Sequence, residues 1–371
     1  MQRKKILFLS PLPPPYYGSA ISSKDCLNIL EKDKTFEVVN IKINFAQKMR
    51  GIGKISLEKL RKFKNIKQEI KKVLKNFNPD IIYFMPATSK IGLLRDYLLV
   101  KEIKKRWTKK VFFHIRTRIT NENWKNPFIK KIYNKMFKNQ KAIVLDNSLK
   151  KDLHSLIGEK ELFVLPNAIK NELSEKEFNE IIKKRKKKKN FEIIFISNMD
   201  KTKGWPKLLR ACKILDKKNM DFRCSFIGAW QCKKDEKDFC NFIDNYNLKN
   251  KIKYLGEKIG KEKNKILEDS DVLVFPTEYK LETFGRVILE AMMFGLPVIA
   301  NGIASIPTII QNEKTGFVLI KNSPEEIAEK IELLIKSKNN RLEMGKRGRE
   351  KFLKEYILEN YAKKFIRILN K

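Results

Sequence analysis

Short runs rich in apolar residues alternate with longer stretches in which apolar positions recur every three or four residues. Mostly apolar runs of three to six residues suit strands buried on both faces of a parallel sheet, and the longer period suits helices lying over it. In the first half such runs fall at 6–9, 38–43, 81–85, 111–115, 142–145 and 162–165. In the second half they fall at 192–197, 223–228, 252–255, 272–275, 297–300 and 316–318. Helical stretches lie between them, for example 22–30 and 56–77, and 351–371 reads as a terminal helix with Phe352, Ile357, Tyr361, Phe365 and Leu369 on its apolar side. The alternation predicts an α/β fold with parallel sheets. The pattern restarts after 170–190, a stretch that contains KKRKKKK at 183–189. A block of like charge reads as a solvated linker. Two domains follow, residues 1–170 completed by the terminal helix 353–371, and residues 191–352.

Composition narrows the class. Hydrophobic residues make up 42% of the 371, enough to bury real cores. No apolar run approaches the ~18 residues of a membrane-spanning helix. The first apolar stretch, 6–9, is too short for the core of a secretory signal, which needs ~7–15 residues. The cysteines Cys26, Cys212, Cys224, Cys232 and Cys240 are odd in number and lack CxxC spacing, which argues against a disulfide framework or a zinc site and suits a reduced, cytoplasmic setting. The net charge is +38, and 66 of the 81 basic residues are Lys. Bidentate readers of bases lean on Arg, and no helix-turn-helix, zinc knuckle or RNA-recognition motif is present. A basic nucleic-acid-binding protein is the rival of a different class, and it lacks a motif. The Lys excess is either coding bias or an attraction to an anionic membrane or glycan. It is uneven: residues 1–170 carry net +24 and residues 171–371 net +14.

The chemistry concentrates in DVLVFPTEYKLETFGRVILEAMMFGLPVIA, 271–300. It reads as strand, loop, helix, strand. The helix begins near 283–285 and ends at Gly295, with Pro297 just beyond. Its interior is apolar except for Glu290, a carboxylate that either reaches solvent, pairs with a Lys, or accepts hydrogen bonds from ligand hydroxyls. Phe284 and Gly285 offer backbone N–H groups at the helix start, suited to a phosphate. Gly285 also permits close approach of a ligand.

ETFGRVILEAMMFGLPVI resembles the signature of family-4 retaining glycosyltransferases, in which two glutamates stand eight positions apart around Phe-Gly. Glu282 and Glu290 match that spacing. The resemblance implies that Glu282 is catalytic and contacts the donor sugar, that Glu290 binds the nucleotide ribose, that the Phe284–Gly285 amides hold the diphosphate, and that Thr283 and Asn198 are possible donor or acceptor contacts. FISNMDKTKGWPKLLRAC at 195–212 is similar to the family's phosphate-binding segment. Lys203 matches the Lys there, whereas Asn198 stands where the family has Arg. FIGAW at 226–230, YLGE at 254–257, LPNAI at 165–169 and GIASIP at 302–307 also match, and Thr308 replaces a frequent Glu. The loop after the first strand is similar to the family's glycine loop, with Gly18 toward the diphosphate and Ser19 as a possible donor or acceptor contact. The implied fold is GT-B: two facing Rossmann-like domains with a cleft between them and a C-terminal helix crossing back to the first.

The implied activity is retaining transfer of a hexose-type sugar from a UDP- or GDP-sugar to a growing, lipid-linked cell-surface glycan such as capsule or lipopolysaccharide. A GT-B nucleotide-sugar epimerase is the alternative among enzymes. No side chain stands out as a covalent nucleophile, so front-face attack by the acceptor hydroxyl is expected. The diphosphate charge is met by Lys203 and the helix amides, so no metal and no cofactor is implied. Asp269-Ser270-Asp271 looks like a metal-binding DxD but precedes a strand, in the wrong context. His114, at the end of a strand, is either a satisfied structural residue or the catalytic His that the family often places there. Arg116 and Arg118 meet an acidic acceptor or are surface charge. The basic amphipathic stretch 55–77 either packs on its sheet or docks on anionic lipid. The aromatic and Lys-rich stretch 124–141 is an interfacial lip or core with solvated Lys. The resemblance and the charge place the protein in the cytoplasm, peripherally on the inner face of the plasma membrane.

Overall fold

The computed structural model describes residues 2–14, 18–45, 57–87, 89–119 and 125–371. Each of the twelve apolar runs forms a strand. The chain divides into two compact units, Met1–Asn167 with Tyr361–Lys371, and Ala168–Asn360.

In the first unit, strands β1 (Lys4–Ser10), β2 (Phe36–Lys42), β3 (Ile81–Phe84), β4 (Phe112–Ile115), β5 (Lys141–Val144) and β6 (Leu162–Val164) form one sheet in the order β2-β1-β3-β4-β5-β6. All neighbours are parallel. Ile6 to Leu9 are wholly buried, because helices cover both faces of the central strand. Helices α1 (Gly18–Lys32), α2 (Leu57–Asn76), α3 (Lys90–Lys104) and α4 (Pro127–Phe137) make the crossovers. The β2-to-β3, β3-to-β4 and β4-to-β5 connections all step the same way along the sheet. Right-handed crossovers therefore set α2, α3 and α4 side by side on one face, and α2 touches α3 as α3 touches α4.

In the second unit, β7 (Glu192–Ile196), β8 (Arg223–Ile227), β9 (Ile252–Tyr254), β10 (Val272–Phe275), β11 (Val298–Asn301) and β12 (Gly316–Leu319) follow the order β12-β11-β10-β7-β8-β9. Every pairing is parallel. Counted within the unit, this is the Rossmann order, and the connections reverse direction between β7 and β10. The helices are α5 (Glu175–Lys187), α6 (Trp205–Lys217), α7 (Lys233–Asn245), α8 (Gly260–Asp269), α9 (Arg286–Met293), α10 (Pro324–Lys336) and α11 (Lys338–Glu355).

Two expectations change. The basic block at 183–189 is not a bare linker: it is the end of α5, which starts with a Ser174–Glu177 capping box and buries Phe178, Ile181, Ile182 and Arg185. Arg185 donates to the carbonyls of Phe294 (2.7 Å) and Gly295 (3.1 Å) after α9, and of Leu267 (2.9 Å) and Glu268 (3.1 Å) at the end of α8. One guanidinium thus satisfies the open carbonyls of two helix C-termini. Burial pushes its pKa down to about 10, against the pull of Asp271, Asp269 and Glu268. The expected terminal helix is in fact two helices. The chain turns at Tyr356, where Ile357 bridges to Ile169, and resumes as α12 (Leu358–Leu369). Tyr361, Phe365, Ile368 and Leu369 bury one side of it.

Candidate active site

Two loops meet at the point of reversal in the second sheet. One follows β7 and carries Asn198 and Lys203. The other follows β10 and runs from Pro276 to Gly285. Gly204 lets them approach: its φ is +88°, and a Cβ there would overlap the Pro276 carbonyl. The second loop is pinned along its length. Asn322 donates to the Pro276 carbonyl (3.2 Å), Asn301 to that of Thr277 (2.8 Å), and the Ser305 amide to that of Thr283 (3.1 Å). The Glu278 amide reaches across to the Thr202 carbonyl at 2.7 Å.

Lys203 and Glu282 come together from 79 residues apart, Nζ to Oε2 at 2.9 Å, each side chain 15% exposed. Lys203 Nζ also stands 4.0 Å from the ring centre of Tyr279, a residue without a sequence motif of its own. The other carboxylate oxygen of Glu282 accepts from the Thr283 amide (3.3 Å) and the Gly285 amide (3.2 Å). Gly285 has φ 71° and caps the start of α9. A cation, two loop amides and the positive end of a helix therefore converge on one carboxylate. The expectation had Glu282 facing a sugar and the amides facing a phosphate; here Lys203 and the amides bond the Glu282 carboxylate. The Phe284 ring faces away, buried edge-on against Tyr356 with centroids 6.1 Å apart. Asn198 is exposed at the end of β7.

Glu290, one turn further into α9, is held separately by Lys263 of α8 at 2.8 Å. Of the open readings of this carboxylate, pairing with a Lys is the one observed. Asp271 of the Asp-Ser-Asp stretch is buried and accepts from Lys188 (2.7 Å) and the Glu192 amide (2.9 Å), so it serves the strand edge.

Residues 176–351 match the family model for glycosyl transferases group 1. The second unit is a group 1 glycosyltransferase domain. The chain is 29% identical over 213 residues to the capsular polysaccharide biosynthesis glycosyltransferase CapM of Staphylococcus aureus, covering 56% of this chain and 53% of CapM. It thus spans about half the length of that relative. Two solved structures match along the whole chain. A glycosyltransferase from Rickettsia africae has a TM-score of 0.71 at 22% identity, covering 100% of this chain and 98% of that one. Anabaena HepE, in complex with UDP and glucose, has a TM-score of 0.72 at 16% identity, with full coverage of both chains. These likenesses identify the two-unit α/β architecture as GT-B.

Outside the glycosyltransferase domain, the first unit holds the remaining expected residues. Gly18 and Ser19 open α1; residues 15–17 of the same loop lie outside the described residues, as do Ile55 and Trp124. His114 is not open to a ligand. It is 0% exposed, hydrogen-bonded through Nδ1 to the Tyr83 hydroxyl at 2.7 Å, and packed against Phe365 of α12. Arg116 donates toward the same nitrogen at 3.5 Å. Since Arg only donates, Nδ1 is the acceptor and Nε2 carries the proton. Burial, then the Arg116 charge, holds the imidazole well below its ordinary pKa. His114 is thus buried with Nδ1 engaged and Nε2 without a hydrogen-bond partner among the described residues. Arg116 is buried too, donating to Asn167, to Cys26 Sγ (3.2 Å) and to the Tyr361 hydroxyl (3.1 Å). Only Arg118 remains at the surface. In the stretch 127–137, Ile129, Ile132, Tyr133, Met136 and Phe137 are core, and Phe128 projects outward.

Proposed function

We propose that the chain transfers a hexose-type sugar, with retention, from a UDP- or GDP-sugar to a growing, lipid-linked cell-surface glycan such as a capsular polysaccharide. One observation carries this reading: Lys203, the Thr283 and Gly285 amides and the start of α9 converge on a single anionic group at the reversal point of a Rossmann-type sheet. The same donors suit the oxygens of a nucleotide diphosphate. With a donor bound, Glu282 exchanges them for the sugar hydroxyls, and Glu290 exchanges Lys263 for the ribose. The likeness to CapM supports the capsular class of acceptor, and the UDP and glucose bound to HepE support a UDP-sugar.

In the proposed step the bond from the anomeric carbon to the diphosphate breaks and the acceptor oxygen bonds on the same face. The acceptor proton passes to the leaving phosphate oxygen. Lys203 and the amides stabilise the charge gathering on that phosphate as the sugar becomes cationic. This charge balance calls for no metal. A glycosyl-enzyme adduct trapped and seen by mass spectrometry would replace front-face attack with a covalent route. The direct test is a panel of UDP- and GDP-sugars scored by thermal shift and by release of free nucleotide. One sugar of the panel raises the melting midpoint and is slowly hydrolysed; a flat response across the panel rejects the reading. We place the work of this enzyme on the cytoplasmic face of a membrane, where a lipid-linked acceptor resides.

A further inference from the structure

The first sheet carries a cleft at the edge where its strands begin, the end opposite the ligand-binding edge of a parallel sheet. Residues at the starts of β1, β3, β4 and β5, and Glu161 just before β6, line it, together with Leu369 and Asn370 at the end of α12. These five strands are consecutive neighbours, so the cleft runs about 19 Å along the sheet at a strand spacing of ~4.8 Å. Its volume is about 730 Å³, the size of a small-molecule site.

Arg3, Lys4, Lys5, Lys109, Lys110 and Lys141 bring positive charge to this cleft, against the carboxylates of Asp80 and Glu161. Both carboxylates are already engaged. Glu161 pairs with Lys110 at 2.5 Å, and Asp80 holds Lys109 at 3.5 Å and the Lys5 amide at 3.0 Å. Arg3 and the ammonium groups of Lys4, Lys5 and Lys141 have no carboxylate partner among the described residues. Three of these cations are held in place by other means. Lys5 Nζ stands 5.3 Å from the centre of the Phe77 ring, and Lys141 Nζ 4.8 Å from that of Phe112. Lys4 Nζ donates to the Asn370 side-chain oxygen at 2.7 Å. A ring face or an amide oxygen positions an ammonium without cancelling its charge. The ordinary duty of Lys at this edge is to cover helix C-termini. Lys104 does so from outside the cleft, donating to the last-turn carbonyls of Lys135 and Met136 at 3.1 Å each. The cleft cations do not.

We propose that this cleft binds a small anion carrying two or more phosphate groups in a row. Lys acts as a point charge, which suits phosphate oxygens. Arg3, Lys4 and Lys5 enter from β1 and Lys141 from β5, about 14 Å apart at the backbone by the same strand spacing. A chain of phosphates bridges such cations better than a single phosphate does. Phe77 and Phe112 lie under Lys ammonium groups and offer no free face for a base to stack on, so the phosphates are what the cleft holds. A lipid anchor needs exposed apolar side chains, and none of the large exposed hydrophobic residues lines the cleft. The inference concerns the first unit alone and stands apart from the proposed sugar transfer.

The test is calorimetric titration of the full chain with sodium tripolyphosphate. Lys203→Ala serves as the background, because the donor site also suits phosphates. One equivalent is expected to bind, more tightly than pyrophosphate and pyrophosphate more tightly than inorganic phosphate, with all three weakened by added NaCl. The further substitutions Arg3→Gln, Lys5→Gln and Lys141→Gln together weaken tripolyphosphate binding by roughly tenfold or more, while the melting midpoint without phosphate stays in place. Lys141→Gln alone guards against a poorly folded triple variant and loses about threefold. Undiminished binding by either variant overturns the proposal, as does equal affinity for phosphate and tripolyphosphate. So does poly-glutamate that outcompetes tripolyphosphate through the same residues, which would assign the cleft to an acidic protein. Sedimentation with phosphatidylglycerol vesicles that is lost on the triple substitution overturns it as well, in favour of a bilayer.

Discussion

The two units share a chassis of six parallel strands and treat the polar groups at their strand ends in opposite ways. In the second unit, Lys203 and Glu282 lie partly exposed on loops, with amide donors aimed at them. In the first, His114 and Arg116 point inward and close on Tyr83, Cys26, Asn167 and Tyr361, the last supplied by α12. The difference lies in where the groups leave the strand. Lys203 sits several residues past β7, beyond the reach of the sheet's covering layers. His114 is within β4 itself, where both faces are covered. A strand-end position therefore does not by itself make a polar residue available to a ligand.

The comparison is broken most sharply by Lys203→Ala. It removes one donor from the anion site and should lower sugar transfer by about a hundredfold or more, with Glu282→Gln close behind. Because both side chains are partly solvated, the melting midpoint should barely move. Near-wild-type transfer in either variant would make the pair an ordinary surface ion pair. Next in size is Arg185→Leu, since the second unit also contains a buried cation. It strips four carbonyls of their donor and should cost about 3 kcal/mol in urea unfolding. A cost near zero would mean that water reaches those helix ends. The smallest effect belongs to His114→Gln. The unfolded chain binds a proton near the ordinary histidine pKa of 6.5, and the folded state resists it. The stabilisation is therefore present above that value and is lost as the pH falls below it. Removing His114 should flatten the drop in melting midpoint between pH 7 and pH 5 and leave donor hydrolysis untouched. Loss of hydrolysis on His114→Gln would return the residue to the reacting centre.

Much of the second unit was legible because its chemistry is local. Gly285, Gly295 and Pro297 mark the ends of α9, and the Glu282–Glu290 spacing travels with them. The partners Tyr279 and Lys263 were missed, since one meets Lys203 and the other Glu290 only through folding. Arg185 was misread within a basic block, although Phe178, Ile181, Ile182 and Arg185 already fall on one helical side. Charge density masked the period.

The sequence by itself determined the twelve strands and the restart of the pattern near the middle. A strand covered on both faces must be apolar along its length, and that requirement is written into consecutive residues. Only the tertiary structure decided which polar residues stay open. It turned His114 and Arg116 into a core cluster and joined Lys203 to Glu282 across 79 residues. Burial depends on what packs from elsewhere in the chain, and no local spacing records it.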